Sequence, residues 1–176
     1  MNFTEEFNMN STGNFPTMRH LKYELRMLLG AAKLQKYFSE NFPGNTENYP
    51  KDSVYLHARN LYNFFTKSKS RDDGSITQYG DKVISSPLYP KPWGPALNNR
   101  VMHIGNRSNT INIQGVVHLN DMVQEFAQDI TRMWQEWIDQ TSDLELRQKL
   151  EDALAQSEKQ SSHDVTQMRQ YLQKDI

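Results

Sequence analysis

The sequence predicts an all-α bundle, and three features carry that prediction. Apolar residues recur at intervals of three and four through several long stretches. Turn signals rich in proline and glycine separate those stretches. No block alternates strongly enough to build a sheet.

Residues 1–15 are rich in asparagine, threonine and serine and show no period, which predicts an N-terminal arm outside the bundle. Pro16 and Thr17 then open a helix carrying Met18, Leu21, Leu25, Leu28, Leu29 and Ala32 on one stripe. Pro43-Gly44-Asn45 is expected to end it. A second helix is expected over 50–67, with Pro50 in its first turn, where the missing N–H costs nothing. Val54, Ala58, Leu61 and Phe65 form its stripe, and Tyr55, Leu56, Tyr62 and Phe64 fill the rest of the wheel. A helix apolar nearly all round is expected at the centre of the fold.

Residues 68–95 contain Gly74, Gly80, Pro87, Pro90, Pro92, Gly94 and Pro95. So long a connection in a compact domain is expected to be packed down, here by Tyr79, Val83, Ile84, Leu88, Tyr89 and Trp93, with room for a short helical turn. A short third helix follows over 96–106, then a weakly alternating segment over 110–118. The strongest stripe is in the fourth helix, 119–140, through Met122, Val123, Phe126, Ile130, Met133, Trp134 and Trp137. Ser142-Asp-Leu-Glu145 has the form of a capping box and should start a further helix with Leu146, Leu150, Ala153 and Leu154 on one side. Polar residues from Ser157 to Ser162 predict a break before a last helix carrying Val165, Met168, Tyr171 and Leu172. The expected organisation is an arm over 1–15, a bundle over 16–140 and a helical extension over 141–176.

At 176 residues the chain fits one domain and should bury roughly 70% of its unfolded surface. It contains no cysteine, which suits a reducing compartment. Its first residues lack the pattern of a secretory signal, and no apolar run approaches the ~20 residues of a membrane span, so a cytoplasmic, non-membrane protein is expected. The formal net charge of −1 gives no global basic footprint. Locally, Arg19, Lys22, Arg26, Lys33 and Lys36 stand against Glu24 alone over 19–37. That run is either an ordinary solvated face or a basic side that meets an anion.

The histidines at 20, 57, 103, 118 and 163 make no close pair, so neither a metal nor another cofactor is expected. Phosphate-loop, dinucleotide and nucleophile-elbow motifs are missing from the sequence. What remains is a polar set. Arg100, His103 and Arg107 are spaced to share one face of the third helix. On the second helix His57 borders the apolar stripe, and Arg59 lies across the wheel beside Tyr55 and Tyr62. A cation on so apolar a helix needs a partner, and Asp72, Asp73 and Asp81 are candidates.

Two readings of this set compete. In one, arginine–aspartate pairs staple the long loop to the bundle and the histidines are structural. In the other, Arg100, His103 and Arg107 converge on a phosphate. Histidine can move a proton near neutral pH, and arginine can stabilise charge on phosphate oxygens. RNA supplies its own nucleophile in the 2′-hydroxyl, so cleavage would need no metal.

Leu56-His-Ala-Arg-Asn-Leu-Tyr-Asn-Phe-Phe65, the acidic Arg71-Asp-Asp73 and Tyr79-Gly-Asp81, Leu97-Asn-Asn-Arg-Val-Met-His-Ile-Gly-Asn-Arg107 and Met133-Trp-Gln-Glu-Trp137 together resemble a group of bacterial HEPN-like helical bundles. The resemblance spans roughly 18–140. It implies a bundle of four core helices, a homodimer, RNA as partner and, as in many HEPN proteins, metal-independent ribonuclease activity in toxin–antitoxin or antiphage systems. His103 matches the family's histidine, with Asn99 and Arg100 standing in for its polar residue and arginine at a closer spacing. Catalysis would then fall to His103 and Arg100, and substrate binding to Arg107, Asn99, Arg59 and His57. The alternative is a non-catalytic module that dimerises or docks a protein partner through Leu146, Leu150 and Leu154 of the C-terminal helices. A ligand site on the Tyr55, Tyr62 and Arg59 side is a third option.

Overall fold

Helix α1, Met18–Asn41, lies between two long neighbours, α2 (Asn48–Thr66) and α5 (Leu144–Leu172), and packs along both. Between them in the chain come α3 (Gly94–Met102), a short antiparallel pair of strands, β1 (Thr110–Asn112) with β2 (Val116–His118), and α4 (Val123–Gln140). The computed structural model describes residues 17–42, 48–68, 74–102, 110–112 and 116–172. The all-α bundle expected from periodicity is the architecture found. The N-terminal arm and the Pro43-Gly44-Asn45 turn lie outside the described residues.

The second helix is central, as its all-round apolar surface implies. Val54, Tyr55, Ala58, Leu61, Tyr62 and Phe65 are completely buried, packed against α1, α3 and α4. Its aromatic residues meet those of α4 edge to face. Phe65 contacts Trp134 and Trp137 at centroid distances of 6.2 and 5.9 Å, and Phe126 lies 6.2 Å from Tyr62. The weak alternation over 110–118 does yield strands, but only as a three-residue pair in register Ile111 to Val117.

The long connection is a strap, as expected. Ile76–Tyr79 forms one 3₁₀ turn, capped by Ser75 Oγ, which accepts from the Thr77 N–H, while the Ser75 N–H donates to Gln78 Oε1. Gly80 closes the turn at φ +83°, a left-handed conformation that glycine adopts without strain. Ile84, Tyr89 and Trp93 are buried, which pins the strap to the core, whereas Val83, expected to pack with them, is 44% exposed.

Two expectations about the C-terminal segment are corrected. The cap of α5 is Asp143, not Ser142: Asp143 Oδ1 accepts from the backbone N–H of Glu145 at 2.9 Å and of Leu146 at 3.1 Å. The expected break from Ser157 to Ser162 does not occur, and α5 runs unbroken from Leu144 to Leu172. The reason is packing. Ser157 and Ser161 are completely buried, and Ser161 Cβ lies 3.7 Å from where a Cβ on Gly30 would stand. These serines are small residues at a helix crossing, not turn formers.

Candidate functional site

The polar set on α2 divides in two, because residues two apart on a helix point to nearly opposite sides. His57 turns to α1, where Nδ1 lies 2.8 Å from Glu24 Oε2. Asn60 Nδ2 donates to the same oxygen at 3.1 Å, and Tyr23 meets the imidazole edge to face at 5.9 Å. The imidazole is buried, so its geometry is that of a packed, carboxylate-tied structural group.

Arg59 turns to α3. Its Nε donates to Asn98 Oδ1 at 2.7 Å. Of the aspartates named as candidate partners, Asp81 does not hold it and accepts instead from Trp137 Nε1 at 2.7 Å, while Asp72 and Asp73 lie outside the described residues. A guanidinium fork matched to a neutral amide keeps its charge available. The backbone of Asn99 and Arg100 continues α3, and only their backbone is described. His103 and Arg107 lie outside the described residues. The structure therefore separates His57 from Arg59 and brings Arg59 alone to the third helix.

Beside that helix a cleft of about 430 Å³ opens between the strap and the first turns of α3, lined by Ser86, Pro90, Lys91, Gly94, Pro95 and Asn98. Asn98 is thus both a wall of the cleft and the anchor of Arg59. Neither Arg59 nor Lys91 has a carboxylate partner among the described residues.

The far wall of the cleft rests on a buried network that sequence reasoning missed. Asp129 of α4 accepts from Tyr62 Oη at 3.0 Å, from Ser86 Oγ at 2.5 Å and from Arg132 Nε and Nη2 at 3.0 and 2.8 Å. Arg132 Nη2 also donates to the Ser85 carbonyl at 3.0 Å. An arginine–aspartate pair does secure the strap, but both members come from α4. Tyr62 stacks on Tyr89 at 5.0 Å, and Tyr89 Oη donates to Asn63 Oδ1 at 2.6 Å. Burial, reinforced by the Asp129 carboxylate, pushes the Tyr62 phenol well above its ordinary value. The available signal was position: Asp129 stands three residues after Phe126 and four before Met133, inside the apolar stripe. Tyr55 and Tyr62 have no accessible surface, which removes the ligand site imagined on their side.

A second concavity, a groove of about 550 Å³, runs along α1 between the start of α2 and the end of α5, past Met27, Gly30, Leu34, Phe38, Tyr49 and Met168. Of the expected docking stripe Leu146, Leu150 and Leu154, the first two are packed inside the protein's own core and Leu154 is partly buried against it. Among the described residues no group of histidine, aspartate and glutamate side chains could hold a metal ion, and no helix is long and apolar enough to cross a membrane.

Family models, curated proteins and solved structures were each compared with the chain, and none matches it.

Proposed function

We propose that the protein is an RNA-associated, HEPN-like helical bundle whose phosphate-contacting side is the cleft beside α3, with metal-independent ribonuclease activity centred on His103. The observation that carries the proposal is the Arg59–Asn98 bond, which holds beside the third helix a cation with no carboxylate partner among the described residues. Lys91 on the cleft wall adds a second such cation. Lys91 in the cleft wall and Arg59, bonded to the Asn98 that lines it, favour an anion on this side, and the resemblance of the motifs around Arg59 and His103 makes RNA the anion of choice.

The chemistry would run on the chain's own residues. His103 would take the proton of the 2′-hydroxyl that attacks the adjoining phosphate, while Arg100 and Arg107 stabilise charge growing on the phosphate oxygens. Arg59, Asn99 and Lys91 would hold the flanking backbone.

The test is binding and cleavage of a labelled RNA in the presence of EDTA. Arg59→Gln and Lys91→Gln are expected to weaken binding and each to reduce the salt slope by about one. His103→Ala is expected to abolish cleavage without lowering the melting temperature. Absence of RNA binding across the whole salt range overturns the proposal.

A further inference from the structure

Arg19, Lys22, Arg26, Lys33 and Lys36 all belong to α1, and the acidic residue among them, Glu24, is turned away to His57 and Asn60. The second half of α5 covers the middle of this basic face. Arg26 Nε and Nη2 both donate to Asp164 Oδ2, at 2.9 and 2.7 Å. Lys22 Nζ donates to Gln156 Oε1. Lys33 Nζ donates to the hydroxyls of Ser161 and Ser162 at 2.7 and 2.8 Å and to the Glu158 carbonyl at 3.2 Å. Arg26 is therefore matched to a carboxylate, whereas Lys22 and Lys33 are satisfied by neutral oxygens. Burial lowers the pKa of Lys33, opposed by the nearby Glu158 charge. A lysine held this way gains from any anion that replaces its neutral partners.

The two halves of α5 are attached differently. The first half inserts Leu146, Leu150 and Ala153 into the core, and Trp134 Nε1 donates to the Leu150 carbonyl at 3.1 Å. Among the described residues from 157 onward, Val165 is the one buried hydrophobic side chain. Met168 is 44% exposed and Tyr171 69% exposed, and the open groove flanks this half. Beyond these contacts Arg169 stacks over Tyr37 at 4.4 Å. A segment with little apolar burial, held mainly by polar contacts that are exposed or only part-buried, belongs to the low-stability end of a structure.

We propose that residues 157–172 of α5 are a releasable latch over a second nucleic-acid surface: when they lift from α1, Arg26 and Lys33 join Arg19 and Lys36 in a basic face for the phosphate backbone of RNA. The proposal rests on the RNA-associated reading above and adds its regulation. The latch competes with RNA for the same cations, Asp164 taking the place of a phosphate on Arg26.

A covalent lock tests it directly. The chain has no cysteine, and the 3.7 Å Cβ separation at Gly30 and Ser161 suits a disulfide. The variant carrying Gly30→Cys and Ser161→Cys, in the full chain, is titrated with a fluorescein-labelled polyuridine oligomer, oxidised and then reduced. The reduced form is expected to bind about tenfold more tightly than the oxidised form, and Asp164→Asn more tightly than the unaltered chain. Equal binding by both forms, with binding still weakened in Arg59→Gln and Lys91→Gln, overturns the latch and leaves the cleft reading standing. No binding by any form overturns both. Hydrogen exchange on the unaltered chain gives a check independent of the cysteines. Residues 157–172 should exchange faster than 144–154 and faster still at high salt, and equal protection overturns the proposal.

Discussion

Replacing Asp129 with alanine should be among the most damaging single changes available outside the apolar core. The carboxylate is nearly inaccessible, and it accepts from the Tyr62 and Ser86 hydroxyls and from Arg132. Arg132 is 46% exposed, so its pair contributes about 0–1 kcal/mol after solvent screening. The hydroxyls differ, because each donates to a charged acceptor away from water, a bond worth about 1.5–3 kcal/mol. Asp129→Ala leaves the Tyr62 phenol without a partner and cuts the strap at Ser86, so the expected loss is about 3–5 kcal/mol. In a chain of this length that is a fall of roughly 10 °C in melting temperature. Tyr62→Phe removes one donor and leaves the others in place, so about 1–2 kcal/mol is expected. Urea denaturation of both single variants and the double variant measures the coupling, which should reach about 1 kcal/mol or more. A loss below about 0.5 kcal/mol for Asp129→Ala, the range of an ordinary surface change, would refute the reasoning.

Leu150 is completely buried against the core while Leu144, on the same helix, is 76% exposed. Leu150→Ala should therefore cost about 2–5 kcal/mol in chemical denaturation and Leu144→Ala under about 0.5. His57→Ala should lower stability by about 1–3 kcal/mol through the lost packing and a Glu24 carboxylate left with Asn60 alone, yet leave RNA affinity in the cleft unchanged; a selective loss of affinity would put His57 back in the site. Tyr62 and Tyr79 both have raised pKa values in the fold, chiefly from burial. The stability held by these neutral phenols is whole below the unfolded tyrosine value of about 10 and falls as pH rises beyond it toward the folded values. Thermal melts of Tyr62→Phe and Tyr79→Phe across that window should show a shallower alkaline decline than the unaltered chain.

Periodicity located α1, α2 and α4 because their stripes are continuous, although the first turn of the expected fourth helix, Leu119–Met122, is 3₁₀ and α4 itself begins at Val123. It misread Ser157–Ser162 because a run of small polar residues has the same composition in a turn and at a close helix crossing. Only the three-dimensional neighbour, Gly30 on a helix more than a hundred residues earlier, distinguishes them. Arg59 was recognised as needing a partner, but a helix wheel gives direction and not distance, so Asn98 could not be chosen over the aspartates. Glu24 and Asp129 share a missed signal: each is a carboxylate set within an apolar stripe at helical spacing. For the proposed site, legibility stops at Arg59, and Lys91 emerges only from the cleft that the strap forms with α3. The face formed by Arg100, His103 and Arg107 depends on how far the third helix continues, and its described part ends at Met102.

The position of α1 between α2 and α5 also orders events during synthesis. Lys33 and its partner Ser161 are 128 residues apart in the chain. At about 5–20 residues per second, the ribosome takes roughly 6–26 s to make the second after the first. Helix α2 follows α1 at once and can cover one of its sides early, while the side meant for α5 waits. For those seconds Gly30 and its basic neighbours face whatever else the cell presents, so newly made chains are the population in which chaperones should meet this surface.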